Sequence, residues 1–141
     1  MADKKSWTIR AVSNEGAAVA FYREREALFV GGAQAAAISP VEHLLIGAAG
    51  CLALSCRAVL TGSRGSQSSV EVTAIGSKSA EPPSRLGRID LAVRFGNEID
   101  AVEARSIVDK AEKLCTVTNT LLGSVAIEIA LAGSPGGPLK R

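Results

Sequence analysis

The segment SPVEHLLIGAAGC, residues 39–51, predicts the helix at the centre of the fold. Ser39 is a good N-cap residue, and Pro40 suits the first helical position. Glu42 lies three residues after Ser39 and completes a capping-box pattern. From residue 43 to residue 60 the side chains are small or apolar on nearly every face. A helix of this kind is expected to be buried all round.

Alternating apolar and polar residues on both sides of this helix predict β-strands. The predicted strands span residues 7–12, 17–22, 27–30, 70–75, 91–95 and 125–131, and further helices span 100–114 and 116–122. Asn14-Glu15-Gly16 is a turn signal, and the charged residues 23–26 form a tip or continue one strand. Strands joined by short turns predict an α+β class, with an antiparallel sheet, a long buried central helix and a second helix.

Length and charge limit the classes of function. The 141 residues predict a single domain over residues 1–141, of which 133–141 form a flexible tail. The net charge is only +2 and there is no basic block, which argues against nucleic-acid binding. No signal segment is visible, and the apolar run 44–54 is about half a membrane span. We therefore expect a cytoplasmic protein that does not bind membranes.

Two cysteines are the strongest candidates for chemistry. Cys51 and Cys115 lie 64 residues apart, so only folding can bring them together as a dithiol. Reactivity requires the thiolate. Cys51 lies about twelve residues into the central helix and would need a nearby cation, whereas Cys115 precedes a helix whose N-terminus would favour its thiolate. The alternative is that the cysteines are small buried hydrophobes, which best suits Cys56 because it points away from Cys51.

A metal site is a weaker alternative. The three cysteines and the single His43 could supply four ligands. Structural zinc sites usually contain closely spaced cysteine pairs, whereas Cys51 and Cys56 lie five positions apart in one helix with no second pair. We expect no metal and no cofactor, and we assign His43 to the helix surface or to an interface.

Glu42 has two interpretations. It is either only the capping-box glutamate or a carboxylate that holds an arginine near Cys51. On one straight helix these two residues differ by about 180° in direction and rise about 13.5 Å, so they cannot share a site. Either the helix bends near Gly47, or Glu42 acts on the cysteine of a second subunit. The small, apolar helix favours the second option and predicts a homodimer with its site at the interface.

Both cysteine segments resemble the motifs of the OsmC/Ohr family. The first is Pro40-x-Glu42-x-Leu44-Leu45 followed by Gly50-Cys51, and the second is the CTVTNTL segment, residues 115–121. Strand order and chain length are also similar. The resemblance implies an intertwined OsmC-like homodimer and a thiol peroxidase that reduces organic hydroperoxides. Cys51 would form a sulfenic acid, Cys115 would resolve it as a disulfide, and a dithiol such as a lipoyl group would reduce that disulfide.

The resemblance also implies an arginine that orients the peroxide and is held by a glutamate, here Glu42. We assign this role to Arg25, with Arg23 as a further candidate and Arg10 as a weaker one. The motifs depart from the family pattern at Val41, where the best-known reductases have the glutamate, and at Thr116, where they have proline. The alternative function is a non-catalytic dimeric binding protein that holds a small apolar ligand at the subunit interface.

Overall fold

A computed structural model describes residues 5–14, 19–64, 68–96 and 98–132. The strands are β1 Ser6–Ser13, β2 Ala20–Arg23, β3 Glu26–Val30, β4 Ala33–Gln34, β5 Val70–Lys78, β6 Leu86–Phe95 and β7 Ala126–Leu131. The helices are α1 Pro40–Arg64, α2 Ala101–Leu114 and α3 Thr116–Leu121. The predicted tail lies outside the described residues, as do the last two residues of the predicted turn 14–16 and the start of the strand predicted at 17–22.

In the described part of the chain the strands form one sheet in the order β4-β3-β2-β1-β5-β6-β7. The neighbouring pairs are antiparallel, except that β6 and β7 are parallel. The prediction of an antiparallel sheet is therefore wrong for this pair. The reason is the connection: α2 and α3 carry the chain back along the sheet, which is how parallel neighbours are joined. The α+β class is confirmed.

Helix α1 packs on one face of the sheet, chiefly against β1 and β5. The core lies between these layers, where side chains of both are fully buried: Ile9, Leu45, Leu52, Leu60, Val70, Val72, Ile89 and Val93. The length and composition of residues Pro40–Gly62 would also allow a membrane span, but just over half of that apolar stretch is buried inside this chain. The core helix of a sheet-packed domain meets the same criteria.

Helix α1 is not buried all round in the single chain. Leu44 is 39% exposed and Leu54 is 42% exposed. Other exposed or half-buried residues of the helix follow at intervals of three or four positions and so lie on the same face. We call this face the α1 stripe; it consists of His43, Leu44, Gly47, Cys51, Leu54 and Ala58. The prediction of complete burial is wrong along this stripe, because the sheet covers only one side of the helix.

Helix α2 begins as predicted. The side chain of Asp100, its N-cap, accepts the backbone N–H of Glu103 at 2.8 Å. The apolar residue Val102 lies outside the buried face of this helix: it is 82% exposed because it lies about 140° around the helix from Ile107. The buried face is Ala104, Ile107, Val108 and Ala111.

The hairpin of β2 and β3 has a charged tip, as one of the two interpretations predicted. Glu24 adopts the left-handed conformation, with φ of 53°, and forms the turn with Arg25. A second turn follows at Gly31 and Gly32, whose φ angles of 59° and 82° suit glycine. This turn leads into β4, a two-residue strand that the sequence did not reveal.

Candidate active site

The start of α1 is a complete capping box, as predicted. The Ser39 backbone N–H donates to Glu42 Oε1 at 2.9 Å, and the Glu42 backbone N–H donates to Ser39 Oγ at 3.2 Å. These bonds hold the Glu42 carboxylate at the helix N-terminus, where the helix dipole favours negative charge.

Arg23 binds this carboxylate with two donors. Its Nε donates to Glu42 Oε2 at 2.5 Å, and its Nη2 donates to Glu42 Oε1 at 2.9 Å. Nη2 also donates to the Ala37 carbonyl at 2.6 Å, and Nη1 pairs with Glu26. Glu42 is only 7% exposed, whereas the Arg23 side chain is one-third exposed. This fork fixes the β2–β3 hairpin against the first turn of α1.

Both members of this pair are charged at neutral pH. The Arg23 hydrogen bond is the largest influence and, with the bonds from Ser39, lowers the pKa of Glu42 to about 2, although burial opposes the shift. The hydrogen bond and charge of Glu42 raise the pKa of Arg23. The carboxylate is therefore available to hold a guanidinium across the whole physiological range.

The lowered pKa predicts a pH-dependent contribution to stability. Its folded value of about 2 lies below the ordinary 4.5, so the stabilisation is complete above pH 4.5 and is lost as pH falls towards 2. Glu42→Gln keeps a side chain that can complete the capping box but removes the charge. We expect this variant to have a lower Tm than the unsubstituted protein at pH 7, and the two Tm values to converge between pH 4.5 and 2. Thermal unfolding followed by circular dichroism measures both, and a constant difference over that range would contradict the assignment.

The structure brings Cys51 and Cys115 together. Cys51 is half-buried on the α1 stripe, and Cys115 is fully buried at the junction of α2 and α3. Their side chains lie within hydrogen-bonding reach of each other, and both are free thiols. Packing of α3 on α1 thus closes the 64-residue separation in sequence.

The two fully buried thiols, Cys115 and Cys56, lie in different environments. Burial raises the pKa of Cys115, and its contact with Cys51 adds to the rise, but hydrogen bonds from the side chain and backbone of Thr118 act in the opposite direction. Burial is the largest of the causes that raise the pKa of Cys56 to about 12, and the positive charge of Arg57 opposes the shift to a smaller extent. The raised pKa of Cys56 keeps its thiol protonated at neutral pH, which is consistent with Cys56 as a core residue.

The arginine candidates occupy different places. Arg25 is exposed in the hairpin turn and makes no side-chain hydrogen bond or ion pair with any described residue. Arg10 lies on the outer face of the sheet, 4.6 Å from the Tyr22 ring centroid and 3.4 Å from Glu71. The arginine held by Glu42 is therefore Arg23, not Arg25. Arg23 is the last residue of β2, whereas Arg25 lies in the turn that follows it.

The Arg23–Glu42 pair does not reach Cys51 of the same chain. Helix α1 is continuous from Pro40 to Arg64, so Glu42 and Cys51 are separated by about 13.5 Å along its axis. The described residues also contain no group of three or more His, Cys, Asp or Glu side chains placed to hold a metal ion.

Sequence reasoning missed an aromatic contact beside Cys51. A Cβ atom on Gly50 would lie 2.7 Å from Cζ of Phe21, and the Phe21 ring packs edge-to-face on Phe29 with centroids 6.2 Å apart. Period-two alternation places Phe21 and Arg23 on the same face of β2. Alternation alone does not separate Arg23 from Arg25, which are two residues apart; the turn at residues 24–25 does.

The fold and the site define the class of protein. A sheet-packed helix bears one thiol, a second thiol lies at the junction of the two following helices, and an arginine–glutamate fork holds the N-terminus of the first helix. The family model described as OsmC-like protein matches residues 31–130. This chain belongs to the OsmC-like family, which confirms the resemblance seen in the cysteine motifs.

Solved structures share the fold. An organic hydroperoxide resistance protein OsmC from Legionella pneumophila is 19% identical, with a TM-score of 0.59 over 93% of this chain and 97% of that one. OhrB of Bacillus subtilis is 17% identical, with a TM-score of 0.56 over 92% and 97%. An OsmC-like hydroperoxide resistance protein from Jannaschia is 15% identical, with a TM-score of 0.62 over 98% and 99%. No curated protein matches the chain by sequence.

Proposed function

We propose that this protein is a thiol peroxidase that reduces organic hydroperoxides, with Cys51 as the attacking thiol and Cys115 as the resolving thiol. The placement of the two thiols close enough to interact carries the proposal, because a disulfide requires them to be close. Exposure supports the assignment of roles. Cys51 is half-buried whereas Cys115 is fully buried, so a peroxide meets Cys51 first. The hydroperoxide resistance proteins of the same fold are consistent with this substrate.

The reaction proceeds in two steps. The Cys51 thiolate attacks the terminal oxygen of the hydroperoxide, the O–O bond breaks, and the alkoxide takes a proton and leaves as the alcohol. Cys51 is then a sulfenic acid. The Cys115 thiolate attacks this sulfur, the S–O bond breaks, and the hydroxide takes a proton and leaves as water. The product is a Cys51–Cys115 disulfide.

A dithiol reductant completes the cycle by thiol–disulfide exchange. Its first thiolate attacks the accessible sulfur, Cys51, and releases Cys115 as a thiolate; its second thiol then displaces Cys51 and leaves as the oxidised dithiol. A lipoyl group has this chemistry. Free thiols persist in a reducing compartment, and the proposed site of action is the cytoplasm.

A second copy of the chain completes the site in this proposal. The α1 stripe exposes Leu44 and Leu54, and a Cβ on Gly47 would meet no described atom within 4 Å, so another backbone can approach there. The Arg23–Glu42 fork of one chain would then serve Cys51 of the other. The separation of the fork from Cys51 within one chain also supports the alternative, a dimer that binds an apolar ligand without turnover.

Thiol counting distinguishes the two functions. We expect one equivalent of cumene hydroperoxide to remove two of the three free thiols per chain, leaving Cys56. Free thiols are titrated after denaturation, and cumyl alcohol, which lacks the O–O bond, is the matched control. Retention of all three thiols after exposure to cumene hydroperoxide would favour the binding protein.

A further inference from the structure

The ring of Phe21 lies directly against the backbone of α1 at the buried residue Gly50. A Cβ atom at this glycine would lie 2.7 Å from Cζ of Phe21 and 3.0 Å from its Cε1, whereas non-bonded carbon atoms prefer about 3.5–4.0 Å. Glycine inside a helix is less favourable than alanine, so its presence here needs a compensating contact. The other two glycines of α1, Gly47 and Gly62, would have no described atom within 4 Å of an added Cβ. Within α1 the need for glycine is therefore specific to the contact with Phe21.

The Phe21 ring has little freedom to move away from the helix. Its Cζ atom lies on the axis of χ2, so rotation of the ring about χ2 leaves the contact with Gly50 unchanged. The ring also packs edge-to-face on Phe29, with centroids 6.2 Å apart, and its strand β2 is paired with β1 on one side and β3 on the other. A larger residue at position 50 must therefore turn the Phe21 side chain out of its χ1 rotamer or push β2 away from α1.

The same strand carries the arginine of the fork. Arg23 follows Phe21 by two residues, so the two side chains lie on one face of β2, about 6.6 Å apart. Phe21 contacts Gly50, and Arg23 donates to Glu42 at 2.5 and 2.9 Å, about two turns earlier in α1. Strand β2 thus contacts α1 at two points, one apolar and one charged. A shift of β2 at the first point lengthens the hydrogen bonds at the second, whose normal range ends at about 3.2 Å.

We propose that Gly50 and Phe21 are positioning residues, which set the distance between the β2–β3 hairpin and α1 and thereby hold Arg23 on Glu42. The absence of a side chain at Gly50 lets the hairpin approach the helix closely enough for the fork to form. The inference rests on the proposed function only for its consequence in catalysis: an arginine displaced from Glu42 would no longer orient the peroxide.

The fork can be measured without peroxide, by titration of the Glu42 carboxyl group in the full chain with carbon-detected NMR. We expect Gly50→Ala to raise the pKa of Glu42 from about 2 towards the ordinary 4.5, because Arg23 no longer donates to the carboxylate. Turnover of cumene hydroperoxide should fall at least about tenfold in the same variant. A raised pKa of Glu42 in a protein that never turns over peroxide would support the positioning role and contradict only the proposed function.

Two variants separate positioning from a general loss of stability. Phe21→Leu removes Cζ, so the double variant Gly50→Ala/Phe21→Leu should restore the low pKa of Glu42, a coupling that a double-mutant cycle detects. Gly62→Ala, with no described atom near its Cβ, should leave that pKa unchanged and raise Tm, because alanine favours the helix. If Gly50→Ala does not fold, Phe21→Tyr, which adds an oxygen at the same Cζ, replaces it. An unchanged pKa of Glu42 in the variant with the enlarged contact would overturn the proposal, as would a double variant no closer to the unsubstituted protein than Gly50→Ala.

Discussion

Replacement of Cys51 by serine is expected to abolish turnover of organic hydroperoxides, with a fall of about a thousandfold or more. The serine hydroxyl is a far weaker nucleophile than a thiolate at neutral pH, and among the three cysteines only Cys51 is both partly exposed and in contact with a second thiol. Consumption of cumene hydroperoxide in the presence of dihydrolipoamide measures the rate.

The other two cysteines should give different outcomes. Cys115→Ser leaves the first step intact, so one equivalent of peroxide should be consumed and Cys51 should persist as a sulfenic acid that dimedone traps. Cys56→Ala is the matched control. Its thiol is buried with a pKa raised to about 12, and its loss should leave turnover unchanged while lowering stability by about 1 kcal/mol.

These outcomes are specific to the assigned roles. Full turnover by Cys51→Ser would show that another group attacks the peroxide. Turnover by Cys115→Ser at the unsubstituted rate would remove the intramolecular disulfide from the cycle. Inactivity of Cys56→Ala, with its fold intact by circular dichroism, would bring the third thiol into the mechanism.

Local sequence signals were sufficient to predict most of the elements. Ser39 and Glu42 predicted the start of α1, because capping depends on residues within one turn. The periodicity of residues 100–114 predicted α2. The parallel pairing of β6 and β7 was not predicted, because strand direction depends on where the α2–α3 connection returns the chain. The exposure of Leu54 was missed for a similar reason: composition indicates an apolar helix but not which side the sheet covers.

The candidate site was predicted in part. The motifs identified Cys51, Cys115 and Glu42, each of which lies in a recognisable local pattern. Arg23 could be separated from Arg25 only by the position of the hairpin turn, since both lie in the same charged run.

The second large effect is expected when the Arg23–Glu42 fork is removed. The double variant Arg23→Met/Glu42→Gln removes both charges of the fork, so no buried carboxylate is left without a partner. We expect it to lose at least about tenfold in peroxide turnover, since the guanidinium would no longer orient the substrate. Arg25→Met is the control on the same hairpin. Arg25 is exposed and makes no ion pair with a described residue, so its loss should change turnover little.

Mixing subunits tests whether the fork acts across the dimer. If Arg23 of one chain serves Cys51 of the other, the double variant alone is strongly impaired and Cys51→Ser alone is inactive, but together they form heterodimers with one complete site. Unfolding and refolding an equal mixture should then restore about a quarter of the unsubstituted activity, because half of the dimers are mixed and each has one of two sites. A fork that served its own chain would give no such recovery, since every chain would lack either the thiol or the arginine. The helix separation of about 13.5 Å between Glu42 and Cys51 is the physical reason to expect recovery.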